Sequence, residues 1–232
     1  MSKGGGVGIV GGTFDPIHAG HLAMAREAQR QLDLEQVLLI PAGTPWQRNP
    51  EASATDRLAM ARLAVGSGGT ITVDDREVRR NRPTYTLETL QELRAECGAD
   101  RPMWLILGAD AFLNLPTWYR WEELFQYAHI AVACRPGYDF QSKDMAPALR
   151  QRLSGENLGA DPVLGTDPKL GSVPKTGSVP KFPPNGAITL LDIPLLGVSS
   201  TGVRNALQHH QPVGDLLPAS VLDYIESHQL YR

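Results

Sequence analysis

Cysteine is scarce in this chain: 232 residues hold only Cys97 and Cys134. Two cysteines build no disulfide framework, and nothing in the pattern suggests secretion. Basic residues are not in excess either, with 22 Lys and Arg against 25 Asp and Glu and a net charge of −3. That balance argues against general nucleic-acid binding, so any phosphate site is local. Long apolar runs are missing, which excludes a membrane-spanning helix. The opening Met-Ser-Lys-Gly-Gly-Gly has no apolar signal core. These absences predict a cytoplasmic protein without nucleic-acid or membrane partners, and they leave oligomeric state open. The length suits one large α/β domain or two small ones, with a sizeable core.

What is present is an alternation of short apolar runs and helical patterns. Residues 7–10, 36–40, 71–73, 103–107, 130–134 and 187–193 read as strands. A helical pattern follows residues 11–21, with Leu22, Ala25 and Leu32 on one face, and others fall at 56–65, 86–97, 199–208 and 218–228, with Gly66 and Gly98 as stop signals. Buried strands alternating with helices predict βαβ units and a Rossmann-like, doubly wound parallel sheet. We expect a single domain over 1–232, closed by C-terminal helices. Residues 155–186 break the rhythm. They are rich in Gly, Pro, Ser and Lys and carry Gly-Ser-Val-Pro-Lys twice, at 171–175 and 177–181. A flexible surface loop is the expectation there.

Residues 11–21 are the most informative stretch: Gly-Gly-Thr-Phe-Asp-Pro-Ile-His-Ala-Gly-His. They lie between the first strand and the first helix, where an α/β protein holds phosphates. Gly11 and Gly12 are expected to form the turn, in conformations a side chain would forbid. His18 and His21, three apart, share a face at the first helical turn and point donors at a bound anion. Both are expected to face ligand and carry little packing. A His-x-x-His metal site finds no third and fourth ligand at metal spacing nearby, so no protein-held metal is expected.

A second motif, Ser199-Ser200-Thr201-Gly202-Val203-Arg204, opens a late helix. Ser and Thr there are N-cap residues. Arg204 lies one turn in and leans back toward the helix start, within reach of an anion.

Gly12, Phe14, Pro16, His18, Gly20 and His21 fill the Gly-x-Phe-x-Pro-x-His-x-Gly-His signature of the nucleotidyltransferase superfamily. Ser-Ser-Thr-x-x-Arg is its second signature. Residues 76–87, Leu107-Gly108-Ala109-Asp110, Pro116-Thr117-Trp118-Tyr119, residues 134–138 and Leu230-Tyr231-Arg232 resemble bacterial nicotinate-mononucleotide adenylyltransferases. The resemblance covers nearly the whole chain outside 139–186. It implies that Gly12, Thr13 and Phe14 cradle the nucleotide by their backbone. It implies that His18 and His21 bind the ATP phosphates, with Arg204, Ser200 and Thr201 opposite. Gly108 and Asp110 would hold the adenosine side. Thr84, Tyr85 and Trp118 would surround the pyridine ring, with Arg135 near the substrate. Arg48 keeps the basic residue of a family loop in which Gln47 replaces the common histidine. Glutamine can still hydrogen-bond a phosphate but adds no charge.

The implied reaction is adenylyl transfer from ATP to nicotinate mononucleotide, with Mg²⁺ carried on the ATP phosphates. Two alternatives stay open at this point. One is a sister adenylyltransferase acting on nicotinamide mononucleotide or another phosphate monoester, such as phosphopantetheine. The other is a non-catalytic nucleotide sensor on the same fold.

Overall fold

The computed structural model describes residues 5–45, 47, 49–80, 82–134, 145–154, 186–194 and 197–232. Strand β1 (Gly6–Gly12) leads into helix α1 (Ala19–Gln31), and β2 (Leu34–Pro41) lies parallel beside β1. Helix α2 (Ala54–Val65) starts at Ser53, whose side chain accepts the Asp56 amide, and stops at Gly66, φ +67°. A left-handed φ is a conformation that favours glycine. Next come β4 (Ile71–Val73) and α4 (Thr86–Cys97), the latter stopped by Gly98 at φ +81°. Strands β6 (Met103–Gly108), β7 (His129–Cys134) and β8 (Ile188–Asp192) complete the sheet. Helices α7 (Ser200–Gln208) and α8 (Ala219–Ser227) follow. These elements match the sequence reading within a few residues.

Some short elements carry too little pattern to be read in advance. They are β3 (Thr44–Pro45), which pairs with β5 (Pro83–Thr84), and the helices α3 (Arg76–Arg79), α5 (Ala109–Leu113) and α6 (Pro147–Ser154). Two 3₁₀ turns lie at Leu115–Thr117 and Trp121–Gln126.

The six-stranded sheet runs β4-β2-β1-β6-β7-β8, and every pairing is parallel. The chain moves outward from β1, returns to β6 on β1's other side, and moves outward again. The reversal falls between β1 and β6, at the switch point where open α/β sheets bind ligands. Alternate residues feed two cores. Val10, Leu39, Ile106, Ala131 and Leu191 pack with Leu22, Met60, Val203 and Ile225 under α1, α2, α7 and α8. Ile9, Ile40, Leu105, Ile130 and Val132 pack with Leu90, Phe112 and Leu149 on the opposite face. Strands buried on both faces read as continuous apolar runs, as the sequence does.

The expected loop over 155–186 lies outside the described residues except for its last member. Gly186 is buried, and its N–H donates to the Phe125 carbonyl at 2.8 Å. It belongs to the approach to β8 rather than to a surface loop. Among the described residues, no helix is long and apolar enough to cross a membrane.

Candidate active site

Parallel strands bring the C-terminal ends of β1, β2, β6, β7 and β8 to one edge, and the first signature lies on that edge. The expected glycine turn is corrected. Gly11 and Gly12 are the last residues of β1, and neither has positive φ. Gly12 is needed for close approach, because a Cβ there would come within 2.8 Å of the Phe14 ring. Phe14 itself makes the left-handed step, φ +52°. Its ring is only 1% exposed and meets His21 edge-on at 5.0 Å. Only its backbone can serve a ligand.

His18 is the N-cap of α1. The His18 N–H donates to Nδ1 of His21 at 3.3 Å, and the two rings stack with centroids 3.7 Å apart. The expectation that His18 carries little packing is corrected, since it is 6% exposed and its Nδ1 is buried with no hydrogen-bond partner among the described residues. Burial holds its pKa down at about 4. Burial, and then the neighbouring His18, holds His21 well below the ordinary value. Both imidazoles are therefore neutral at pH 7, and each offers one N–H donor rather than a charge.

The second signature docks on the first. Ser199 caps α7 by accepting the Gly202 amide at 3.1 Å. The Ser200 hydroxyl donates to the Pro16 carbonyl at 3.0 Å. Arg204 Nη1 donates to the Asp15 carbonyl at 2.8 Å, and Nε donates to Glu51 at 2.6 Å. Thr201 is exposed beside them. Gly20 permits this docking, because a Cβ on it would lie 2.9 Å from Val198 and 3.1 Å from His18 Nδ1. The structure thus brings His18, His21, Ser200, Thr201 and Arg204 together. It also corrects the picture of a free arginine: a carboxylate already holds one edge of the guanidinium.

Sequence reasoning missed the residues beneath this surface. Asp15, 4% exposed, accepts the amides of Glu51 at 2.7 Å and Ala52 at 3.1 Å and the Tyr231 hydroxyl at 2.7 Å. Arg57 is fully buried and donates to four carbonyls, those of Thr13, Ala42, Gly43 and Ala52. It ties the β1 turn to the end of β2. Asp15 sits at a variable position of the signature, and Arg57 reads as a helix-surface arginine, so neither advertises itself. The Leu230-Tyr231-Arg232 ending is the one visible trace.

The remaining candidates lie at the end of β6, on the turns that follow it, and at β5. Gly108 ends β6 and precedes α5, and Asp110 is exposed in its first turn. Thr84 is buried in β5, and its side chain bonds to the Glu77 carboxyl. Burial raises that carboxyl's pKa, opposed by Thr89 and Thr84. Tyr85 packs on Tyr119 with ring centroids 4.7 Å apart, and Trp118 is half-buried. Gln47 donates to the Thr117 hydroxyl at 3.1 Å, spanning from the β2–α2 connection to the residue before Trp118. Its amide therefore reaches the residue before Trp118 rather than the histidine pair. Arg48 and Arg135 lie outside the described residues.

A doubly wound sheet with two helix starts, a histidine pair and an arginine at its switch point is the frame of an α/β nucleotide-binding protein. Residues 9–206 match the cytidylyltransferase-like family model. A probable nicotinate-nucleotide adenylyltransferase of Pseudomonas fluorescens is 41% identical over 227 residues, covering 97% of this chain and 97% of the relative. One from Chromobacterium violaceum is 39% identical over 228 residues, with 97% and 98% covered. Among solved structures, Plasmodium falciparum nicotinic acid mononucleotide adenylyltransferase complexed with NaAD superposes with TM-score 0.68 at 17% identity, covering 98% and 97% of the two chains. At that identity the likeness speaks for the fold. The chain belongs to the cytidylyltransferase-like family and, within it, to the nicotinate-nucleotide adenylyltransferases.

Proposed function

We propose that this protein transfers the adenylyl group of ATP to nicotinate mononucleotide, giving deamido-NAD and pyrophosphate. One observation carries the reading at the level of the site. Arg204 and Ser200 of α7 bond to the backbone of Asp15 and Pro16, the turn that presents His18 and His21. These bonds hold two helix starts, an arginine and two imidazoles close together, a set suited to a polyphosphate.

The chemistry asks little else of the protein. A phosphate oxygen of the mononucleotide attacks the α-phosphorus of ATP in line. One P–O bond forms, the α–β bridge breaks, and pyrophosphate leaves with its electron pair. A phosphate monoester is already a nucleophile at neutral pH, so no Ser or Cys is required. Positioning and charge stabilisation supply the rate. His18 and His21 act as neutral N–H donors to phosphate oxygens. Arg204 supplies the positive charge, with Nη2 the part of the guanidinium that has no partner among the described residues. Ser200 and Thr201 lie beside it. Gly12, Thr13 and Phe14 contribute backbone, and Gly108 and Asp110 take the adenosine side. Thr84, Tyr85 and Trp118 enclose the pyridine ring.

Mg²⁺ would be carried by the triphosphate rather than by a protein cage, and would supply charge neutralisation there. The side chains fit that arrangement. Asp15 is committed to two amides and a hydroxyl, Glu51 to Arg204, and no cluster of three metal-binding side chains occurs among the described residues. Residues 1–232 are proposed to work as one nucleotidyltransferase domain. The proposed setting is the cytoplasm, where two unpaired cysteines stay reduced. Pyrophosphate release from ATP, Mg²⁺ and either pyridine mononucleotide tests the reading. Release with the acid form supports it. No release with either form overturns it.

A further inference from the structure

Asp15 joins three distant pieces of chain. Its carboxylate accepts the amides of Glu51 and Ala52, before α2, and the hydroxyl of Tyr231, after α8. Its carbonyl accepts Arg204. A buried carboxylate is costly unless its lone pairs are satisfied. Each of these donors therefore fixes where the carboxylate sits, and with it the turn from Phe14 to His18. Tyr231 is the only donor of the three that is a side chain. It is 6% exposed and stands at φ +60°, a left-handed conformation rare for a tyrosine. That backbone turns the ring into the core with its hydroxyl 2.7 Å from Asp15 Oδ1.

We propose that Tyr231 is a positioning residue for adenylyl transfer: its hydroxyl fixes Asp15, and through Asp15 the turn that carries His18 and the carbonyl that holds Arg204. The proposal rests on the adenylyl-transfer reading above. Burial, and then the bond to Asp15, raises the phenol's pKa, so the hydroxyl stays protonated and donates across the working pH range. Without it the carboxylate keeps two backbone amides and the longer ion pair to Arg204 Nη1 at 3.8 Å, and the turn gains freedom. Small displacements of phosphate-binding groups are expensive in rate. The pyridine side is built on β5 and on the residues after β6, and the Tyr231 hydroxyl bonds to neither.

Tyr231→Phe keeps the ring and removes the hydroxyl. Tyr224→Phe is the control, because it removes a comparable hydroxyl, 3.0 Å from Asp56 Oδ1, in α8 and away from the turn. Each protein is assayed well below its own Tm. Tyr231→Phe is expected to lower kcat about tenfold and raise KM for ATP at least about threefold, with KM for nicotinate mononucleotide nearly unchanged. Tyr224→Phe is expected to leave all three constants nearly unchanged. Calorimetric ATP binding, which needs no turnover, is expected to weaken in Tyr231→Phe alone. Wild-type kcat and ATP affinity in Tyr231→Phe would overturn the proposal, as would equal losses in Tyr224→Phe. Failure of wild type to release pyrophosphate is a different result and strikes the function itself.

Discussion

Arg204 Nε donates to the exposed Glu51 carboxylate over 2.6 Å, on the same guanidinium whose Nη1 donates 2.8 Å to the Asp15 carbonyl. The Asp15 contact is built into the fold, because the Asp15 side chain also holds the Glu51 amide. The carboxylate contact is a partly exposed ion pair, worth roughly 0–1 kcal/mol. A triphosphate can displace it. On the proposed reading, Glu51 then competes with ATP for Arg204. Glu51→Gln is expected to lower KM for ATP by about two- to fivefold while kcat stays within about twofold. A higher KM for ATP would instead mean that Glu51 aims the arginine.

His18→Ala and His21→Ala are each expected to reduce kcat by about a hundredfold or more, as removal of a preorganised donor does. The two differ in stability. His18 is the more buried and leaves a hole beneath Gly20 and the His21 ring, costing on the order of 1–3 kcal/mol. Steady-state kinetics with urea denaturation separates the effects. Wild-type turnover in either variant at saturating substrate would remove the histidine pair from the mechanism.

Arg57→Lys is expected to cost on the order of 3 kcal/mol or more, because one ammonium cannot reach four carbonyls and buried acceptors are left unpaired. Chemical denaturation measures this. A loss under about 1 kcal/mol would mean that the four carbonyls find other partners without rearrangement.

Acid should destabilise the fold. Burial holds His18 and His129 at about 4, aided at His129 by the positive charge of Arg94. In the unfolded chain each titrates near 6.5, so the unfolded state binds protons first. The stabilisation from burying these rings neutral is complete above pH 6.5 and is lost as pH falls toward 4, by about 2 kcal/mol each at pH 5. Urea denaturation at pH 7 and pH 5 reads it. His129→Gln retains an uncharged acceptor for the Ala187 amide, which His129 Nδ1 accepts at 3.0 Å. The variant should lose about its 2 kcal/mol share of the pH dependence, and an unchanged dependence would exclude His129 as a source.

The acid mononucleotide should be preferred to the amide by at least about tenfold in kcat/KM. A carboxylate only accepts, whereas an amide also donates, and on the proposed reading backbone N–H groups near Thr84 and Tyr85 would suit the acceptor. Trp118→Ala should weaken both mononucleotides and leave ATP binding nearly unchanged. Equal efficiency on the two substrates, or an equal ATP defect in Trp118→Ala, would defeat this arrangement.

Local chemistry made much of the fold legible. Apolar runs of strand length, Ser199 as a cap, and Gly66 and Gly98 as stops all act within a few residues, so the sequence alone determined the alternation and hence the parallel sheet. The two signatures likewise located His18, His21 and Arg204. Tertiary structure decided what surrounds them. Asp15 meets Arg204 across 189 positions and Tyr231 across 216. Whether His18 is a cation or a buried neutral donor depends on what packs over it. Whether Arg57 faces water or four carbonyls depends on where β1 and β2 end. Such properties come from desolvation and long-range contact, which exist only once distant segments share a volume and which leave no periodic trace along the chain.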